Sequence, residues 1–148
     1  MDGAAFPVVQ PASVHQVHVL TTLTAPSTTP FQDFHLGRLL VHELRAAQEH
    51  DLADSLAWVV LPDRLHWLVA LRGASAARLV QRIKARSARA INRALGSCRP
   101  IWQAGYHDLP VQHEGDLLTL ARQIVAYPRR AGLVRRSRDY PLWDAIWV

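Results

Sequence analysis

The stretch from Leu56 to Leu71 constrains the fold more than any other part of the chain. Leu56-Ala57-Trp58-Val59-Val60 and Leu65-His66-Trp67-Leu68-Val69 are two apolar, β-prone runs, and Pro62-Asp63 stands between them as a turn. Two such runs at that separation predict a hairpin with strands over 56–60 and 65–71. A single histidine, His66, lies in the second strand, with Arg64 two residues before it.

The flanking segments extend this hairpin into a small domain. Val17, Val19 and Leu20-Thr21-Thr22-Leu23 form a β-branched run, read as a first strand that Ala25-Pro26-Ser27-Thr28-Thr29-Pro30 interrupts. Thr28 or Thr29 can cap the helix that follows, with Pro30 in its first turn. That helix ends near His50 and takes its apolar face from Phe31, Phe34, Leu39, Leu40 and Leu44. A long helix is predicted from Ser75 to Leu95, with Leu79, Ile83, Ala90, Ile91 and Ala94 inward. Asp108 to Val111 reads as a short fourth strand. Asp116 to Ala126 reads as a further helix, with Leu117, Leu118, Ala121, Ile124 and Val125 inward, stopping near Tyr127 because Pro128 removes a hydrogen bond. Gly132 suits a turn or cap, and the apolar end from Tyr140 is expected to dock on the body. The order β-α-β-β-α-β predicts an α+β, ferredoxin-like split βαβ sandwich, with a four-stranded antiparallel sheet and helices on one face. Residues 1–14 hold Pro7 and Pro11 without a periodic pattern and are expected to form a loose arm, leaving 15–148 as the domain.

A chain of 148 residues suits one core, and about half of it is apolar. No apolar run of about 18 residues is present, so no membrane span is expected. The first residues lack the basic and apolar regions of a signal peptide. Cys98 is the only cysteine. It allows neither an internal disulfide nor a multi-thiol metal site, which fits a reducing cytoplasm.

Charge divides the chain. Residues 1–71 carry three basic and seven acidic side chains, and residues 72–148 carry fourteen basic and five acidic. Thirteen of those fourteen are arginine, and no acidic residue occurs between 72 and 107. Arg78, Arg82, Arg89 and Arg93 repeat at four, seven and four residues, which sets them along one helix face, with Arg86 near it and Lys84 off it. Such a ladder can follow phosphates, and all six basic residues, Lys84 and Arg86 included, are expected to contact them, with Ser87 and Asn92 as neutral donors. A solvated surface helix would more often mix the two signs. Trp102 and Tyr106 are candidates for stacking on bases, and each also suits a core. Arg129 and Arg130 form a second basic pair beside Pro128 and are expected to bind DNA near the site.

The other histidines show no HExxH or comparable zinc spacing. A lone strand histidine is more often packed or hydrogen-bonded than a ligand.

The order of several blocks adds to this reading. They are Trp58-Val59-Val60-Leu61-Pro62-Asp63-Arg64-Leu65-His66-Trp67-Leu68, Lys84-Ala85-Arg86-Ser87-Ala88-Arg89-Ala90-Ile91-Asn92, Ile101-Trp102-Gln103-Ala104-Gly105-Tyr106-His107-Asp108, Glu114-Gly115-Asp116-Leu117, Ala131-Gly132-Leu133-Val134 and Asp139-Tyr140-Pro141-Leu142-Trp143-Asp144. In this order the chain resembles the REP-associated tyrosine transposases, a branch of the IS200/IS605-like single-tyrosine transposases, over roughly residues 15–148. The resemblance implies a ferredoxin-like domain that binds single-stranded or hairpin DNA, as a monomer or homodimer. It also implies cleavage and rejoining through a 5′-phosphotyrosine, assisted by Mg2+ or Mn2+. The family places a His-hydrophobe-His metal motif on a strand, a nucleophilic tyrosine on a late helix, and a metal-side polar residue one turn later. A divalent ion would polarise the scissile phosphate, and the tyrosine would conserve bond energy in a covalent intermediate.

Matched position by position, the chain departs from that pattern. Arg64 stands at the first metal-histidine position and His66 at the second, Gln123 stands at the nucleophile position, and Tyr127 stands at the metal-side position. Arginine has no lone pair for a metal, and glutamine cannot form the phosphotyrosine. Two readings follow. In one, Tyr127 is the nucleophile, His66 and Gln123 are the metal ligands, and Arg64 holds the phosphate. In the other, the chain is a DNA-binding relative without catalysis, or a protein-interaction module whose basic face meets an acidic partner. His15 and His18 are further ligand candidates, since an adjacent strand can bring either beside His66.

Overall fold

The computed structural model describes residues 16–146. The expectations for the 1–14 arm and for His15 lie outside these residues. The elements are β1 (Val17–Leu23), α1 (Phe34–Glu49), β2 (Ala53–Leu61), β3 (Arg64–Leu71), α2 (Ala76–Leu95), β4 (His107–Pro110), α3 (Leu117–Arg130) and β5 (Trp143–Ala145), with short 3-10 turns before α1, α3 and β5.

The β2–β3 hairpin turns at Pro62-Asp63 as the sequence predicts, pairing Leu61 with Arg64 and Val59 with His66. All strand pairs are antiparallel, in the order β4-β1-β3-β2-β5. The expected four-stranded sheet is therefore corrected to five strands. The extra strand comes from the apolar C-terminal segment, which docks along the free edge of β2. Tyr140 Oη donates to Val60 O at 2.6 Å, Val60 N donates to Leu142 O at 2.9 Å, and β5 pairs with Ala57–Val59. An apolar tail of that length lowers its exposure by closing an otherwise unpaired edge.

Helices cover both faces of the sheet, which corrects the expectation of one covered face. Leu20, Trp58, Val60, Leu65, Trp67 and Val69 pack under α1 and α2. Val17, Leu56, Ala57, Val59, Leu61, Leu68 and Ala70 point the other way and pack under α3 through Leu117, Ala121 and Ile124. Both faces of β2 and β3 are buried, which explains why these strands read as continuous apolar runs. A bulge between Ser55 and Ala57 turns two successive residues, Leu56 and Ala57, toward the α3 side.

Local signals account for most helix ends. Ser75 caps α2 by accepting from Arg78 N. Asp33, rather than either threonine, caps α1 by accepting from His35 N, because Pro30–Gln32 forms its own 3-10 turn first. The prediction that Pro128 ends its helix is corrected: α3 continues to Arg130 with Pro128 buried inside it. One missing N–H in the last turn is a small loss against burial of the ring. The helix then closes with Gly132 at φ 76°, where Gly132 N donates to Arg129 O and Leu133 N to Pro128 O. Some predicted inward positions also shift: Phe34, Ala94 and Leu118 are exposed, and Val80 and Ser87 are buried.

Gly37 lies in α1 against the C-terminal segment, where a Cβ would run into the Leu142 side chain. The missing side chain lets the helix and tail approach closely.

Candidate nucleic-acid interface

The sheet separates the predicted site residues into two groups, one on each face. Helix α2 carries the first. Arg78, Arg89 and Arg93 are exposed on the outer side of the helix, and Arg82 is half-buried at the edge of that side, its Nε buried without a hydrogen-bond partner. The expectation that Arg86 and Lys84 contact phosphates is corrected, because both side chains have partners within the fold. Arg86 Nε donates to Glu43 at 2.8 Å, matching a carboxylate that is only 6% exposed and tying α2 to α1. Lys84 Nζ donates to Gln103 O at 2.7 Å and to Gly105 O, and burial lowers its pKa from the ordinary lysine value. Ser87 is buried and accepts from Trp102 Nε1 at 3.0 Å, and Asn92 bonds to Ser97 and Arg99 at the end of α2. The expectation that these two residues offer donors to DNA is thus corrected. Trp102 is half-buried with its ring 5.5 Å from Phe31, whereas Tyr106 is exposed.

The second group lies under α3. Strand alternation turns His66 and Thr21 to this face, in register across β3 and β1. One helical turn on α3 separates Gln123 from Tyr127. A pocket of about 320 Å³ brings His66, Gln123 and Tyr127 together, with Thr21, His107 and Asp108 also on its wall. The Tyr127 ring stacks on the His66 imidazole at 4.4 Å and 16°. Arg130 lies 5.9 Å from the Tyr127 ring centre, and Arg129 is exposed beside it. His66 Nδ1 bonds to Thr21 Oγ1 at 2.9 Å, while its Nε2 is buried without a hydrogen-bond partner. Burial first, and then the Arg64 charge, lower the His66 pKa to about 4, with Asp63 opposing them. The imidazole is therefore neutral at physiological pH.

Arg64 is not part of this pocket. Its guanidinium turns to Asp63, at 3.2 Å and 3.3 Å, and lines a small separate cleft with Gln103. His18 lies on the opposite face from His66. It bonds to Asp108 at 2.6 Å, so Thr21, rather than His18, is the β1 neighbour of His66. The Thr21–His66 pairing was not read from sequence. It depends on the β1–β3 register, which local pattern leaves open.

These residues fit a Mg2+ or Mn2+ ion poorly. The pocket offers the buried His66 imidazole with its unpartnered Nε2, the exposed His107 imidazole at its wall and one neutral carboxamide, and its single carboxylate, Asp108, is already engaged by His18. Among the described residues, no three His, Cys, Asp or Glu side chains converge on one point. Hard divalent cations favour several oxygen ligands, carboxylates above all.

No protein-family model and no curated protein matches the sequence. Solved structures do. The chain superposes on a REP-associated tyrosine transposase bound to a REP hairpin with a TM-score of 0.72 and 20% identity, over 87% of this chain and 76% of the other. This chain has a REP-associated tyrosine transposase-like fold. A second structure, of a Deinococcus radiodurans R1 protein assigned as a transposase, gives a TM-score of 0.55 and 22% identity, over 73% of this chain and 87% of that one. No helix among the described residues is long and apolar enough to cross a membrane.

Proposed function

We propose that this protein binds single-stranded or hairpin DNA, and that it does so without the metal-dependent cleavage that the sequence resemblance implies. The observation that carries the binding is the outer side of α2, where Arg78, Arg82, Arg89 and Arg93 line up in a segment without a single acidic residue. Such a row tracks phosphates and fixes register rather than sequence. The likeness to a hairpin-bound transposase supports the choice of ligand. An acidic protein partner remains the competing ligand for the same charge.

The chemistry of the second pocket supports loss of the usual reaction. Gln123 cannot attack a phosphate, and a stacked imidazole is not aligned to take a proton in the plane of its ring from the phenol lying over it. Arg64 is matched by Asp63 rather than directed at the pocket. One observation favours a second reading, cleavage through Tyr127: the fold does place Tyr127, His66 and Gln123 around a single pocket.

Two measurements test these readings. Hairpin DNA binding is titrated across a salt series for the protein and for a variant with Arg78, Arg82, Arg89 and Arg93 changed to Gln. The logarithmic salt slope should fall by roughly 0.7–0.9 for each phosphate that the variant no longer neutralises. Equal slopes would overturn the role of α2. Incubation of a labelled hairpin with Mg2+ or Mn2+ should then give no covalent adduct, whereas an adduct that disappears in Tyr127→Phe would establish cleavage.

A further inference from the structure

Between α2 and the segment that leads into β4 lies a cleft of about 620 Å³, the size of a small-molecule site. One wall is a stripe of α2, formed by Ala77, Gln81, Ala85 and Ala88, and the other holds Trp102 and Tyr106. The stripe follows from spacing, since these helix residues recur at four, four and three. Alanine methyl groups leave an open trough where longer side chains would fill it.

The far wall is fixed in place. Lys84 holds two of its carbonyls, Trp102 bonds to buried Ser87, and Gln103 N donates to Leu23 O at 2.9 Å. Trp102 also bridges to Thr24 beyond the end of β1. The cleft therefore exists before any ligand arrives. The ladder arginines adjoin the stripe at helical spacing: Arg78 stands three residues before Gln81, Arg82 three before Ala85, and Arg89 four after it.

We propose that this cleft seats an unpaired nucleobase of a strand whose phosphates run along Arg78, Arg82, Arg89 and Arg93. The inference rests on the DNA-binding reading above and gives it a specific contact. A flat, apolar slot beside a row of cations matches a nucleotide, whose π-face needs cover and whose phosphate needs charge. An apolar peptide would fill the slot but leave the guanidinium row unmatched. Tyr106, exposed at the rim, provides the stacking face, and Trp102, held by Ser87 and Phe31, forms the floor. The Gln81 and Gln103 carboxamides can donate to and accept from a base edge.

The test compares a blunt DNA hairpin with the same hairpin carrying a short single-stranded overhang that contains 2-aminopurine. The overhang should bind more tightly, and its fluorescence should change on binding. Tyr106→Ala should weaken overhang binding by about 5- to 150-fold, the range for removing one stacked base. Ala85→Leu fills the slot at an exposed site away from the core, and should remove the overhang advantage while leaving blunt-hairpin affinity unchanged. Equal binding of the two hairpins, unaffected by either substitution, would overturn the cleft and leave DNA binding intact. Failure of the unmodified protein to bind either hairpin would overturn the DNA-binding reading and this inference with it.

Discussion

Acidification should destabilise this protein through His66, and the effect can be sized. The folded-state pKa is lowered from 6.5 to about 4. The unfolded chain therefore binds the proton more readily than the folded one between those values. Stability is at its highest above the unfolded pKa, falls as pH drops through it, and levels off below the folded pKa. Between about pH 7 and about pH 4.5 the loss from this one group is about 2 to 3 kcal/mol, at about 1.4 kcal/mol per pKa unit. The side chain is only 8% exposed, so solvent screening reduces this little. Urea unfolding followed by tryptophan fluorescence at the two pH values measures it. Carboxylates and the other histidines also titrate, so the readout is the difference between the native protein and His66→Gln, whose pH dependence should be shallower by that amount. Arg64→Gln should remove part of the depression, because its charge is the second cause after burial. An NMR titration placing His66 near 6.5, or identical pH slopes for His66→Gln and the native protein, would refute the reasoning.

Three other outcomes follow from the geometry. Calorimetry with Mn2+ should show weak binding that is abolished in His66→Gln, and tight retention would expose ligands beyond His66 and Gln123. Gly37→Ala should cost about 1 to 3 kcal/mol by overpacking against Leu142, even though alanine is the better helix former, and an unchanged melting temperature would show that the C-terminal segment yields freely. Tyr140→Phe should cost about 1 kcal/mol by removing the hydrogen bond to Val60 O, and because burial raises the phenol pKa to about 12, an alkaline absorbance titration of the native protein should show a phenolate step near that pH that Tyr140→Phe lacks.

Sequence alone determined the local structure, because its causes are local. Pro62-Asp63 between two β-prone runs produced the hairpin, Ser75 placed the start of α2, and Gly132 placed the turn after α3. Strand alternation set His66 and Arg64 on one face, and helical spacing set Gln123 beside Tyr127. Alternation does not say which helix will cover a face, however, nor where a long side chain on that face will turn. Only the tertiary structure put α3 over His66, stacked Tyr127 on its ring and brought Thr21 to its Nδ1. It also drew Arg64 aside to Asp63, committed Arg86 to Glu43 and buried Ser87 under Trp102. Each of those pairings joins an ionic or polar side chain to its nearest matching group in space, so sequence spacing could name the partners on offer but not choose among them. Pro128 shows the same limit from the other side. Its missing N–H argues locally for the end of a helix, and burial of its ring in the fold outweighed one hydrogen bond in the last turn.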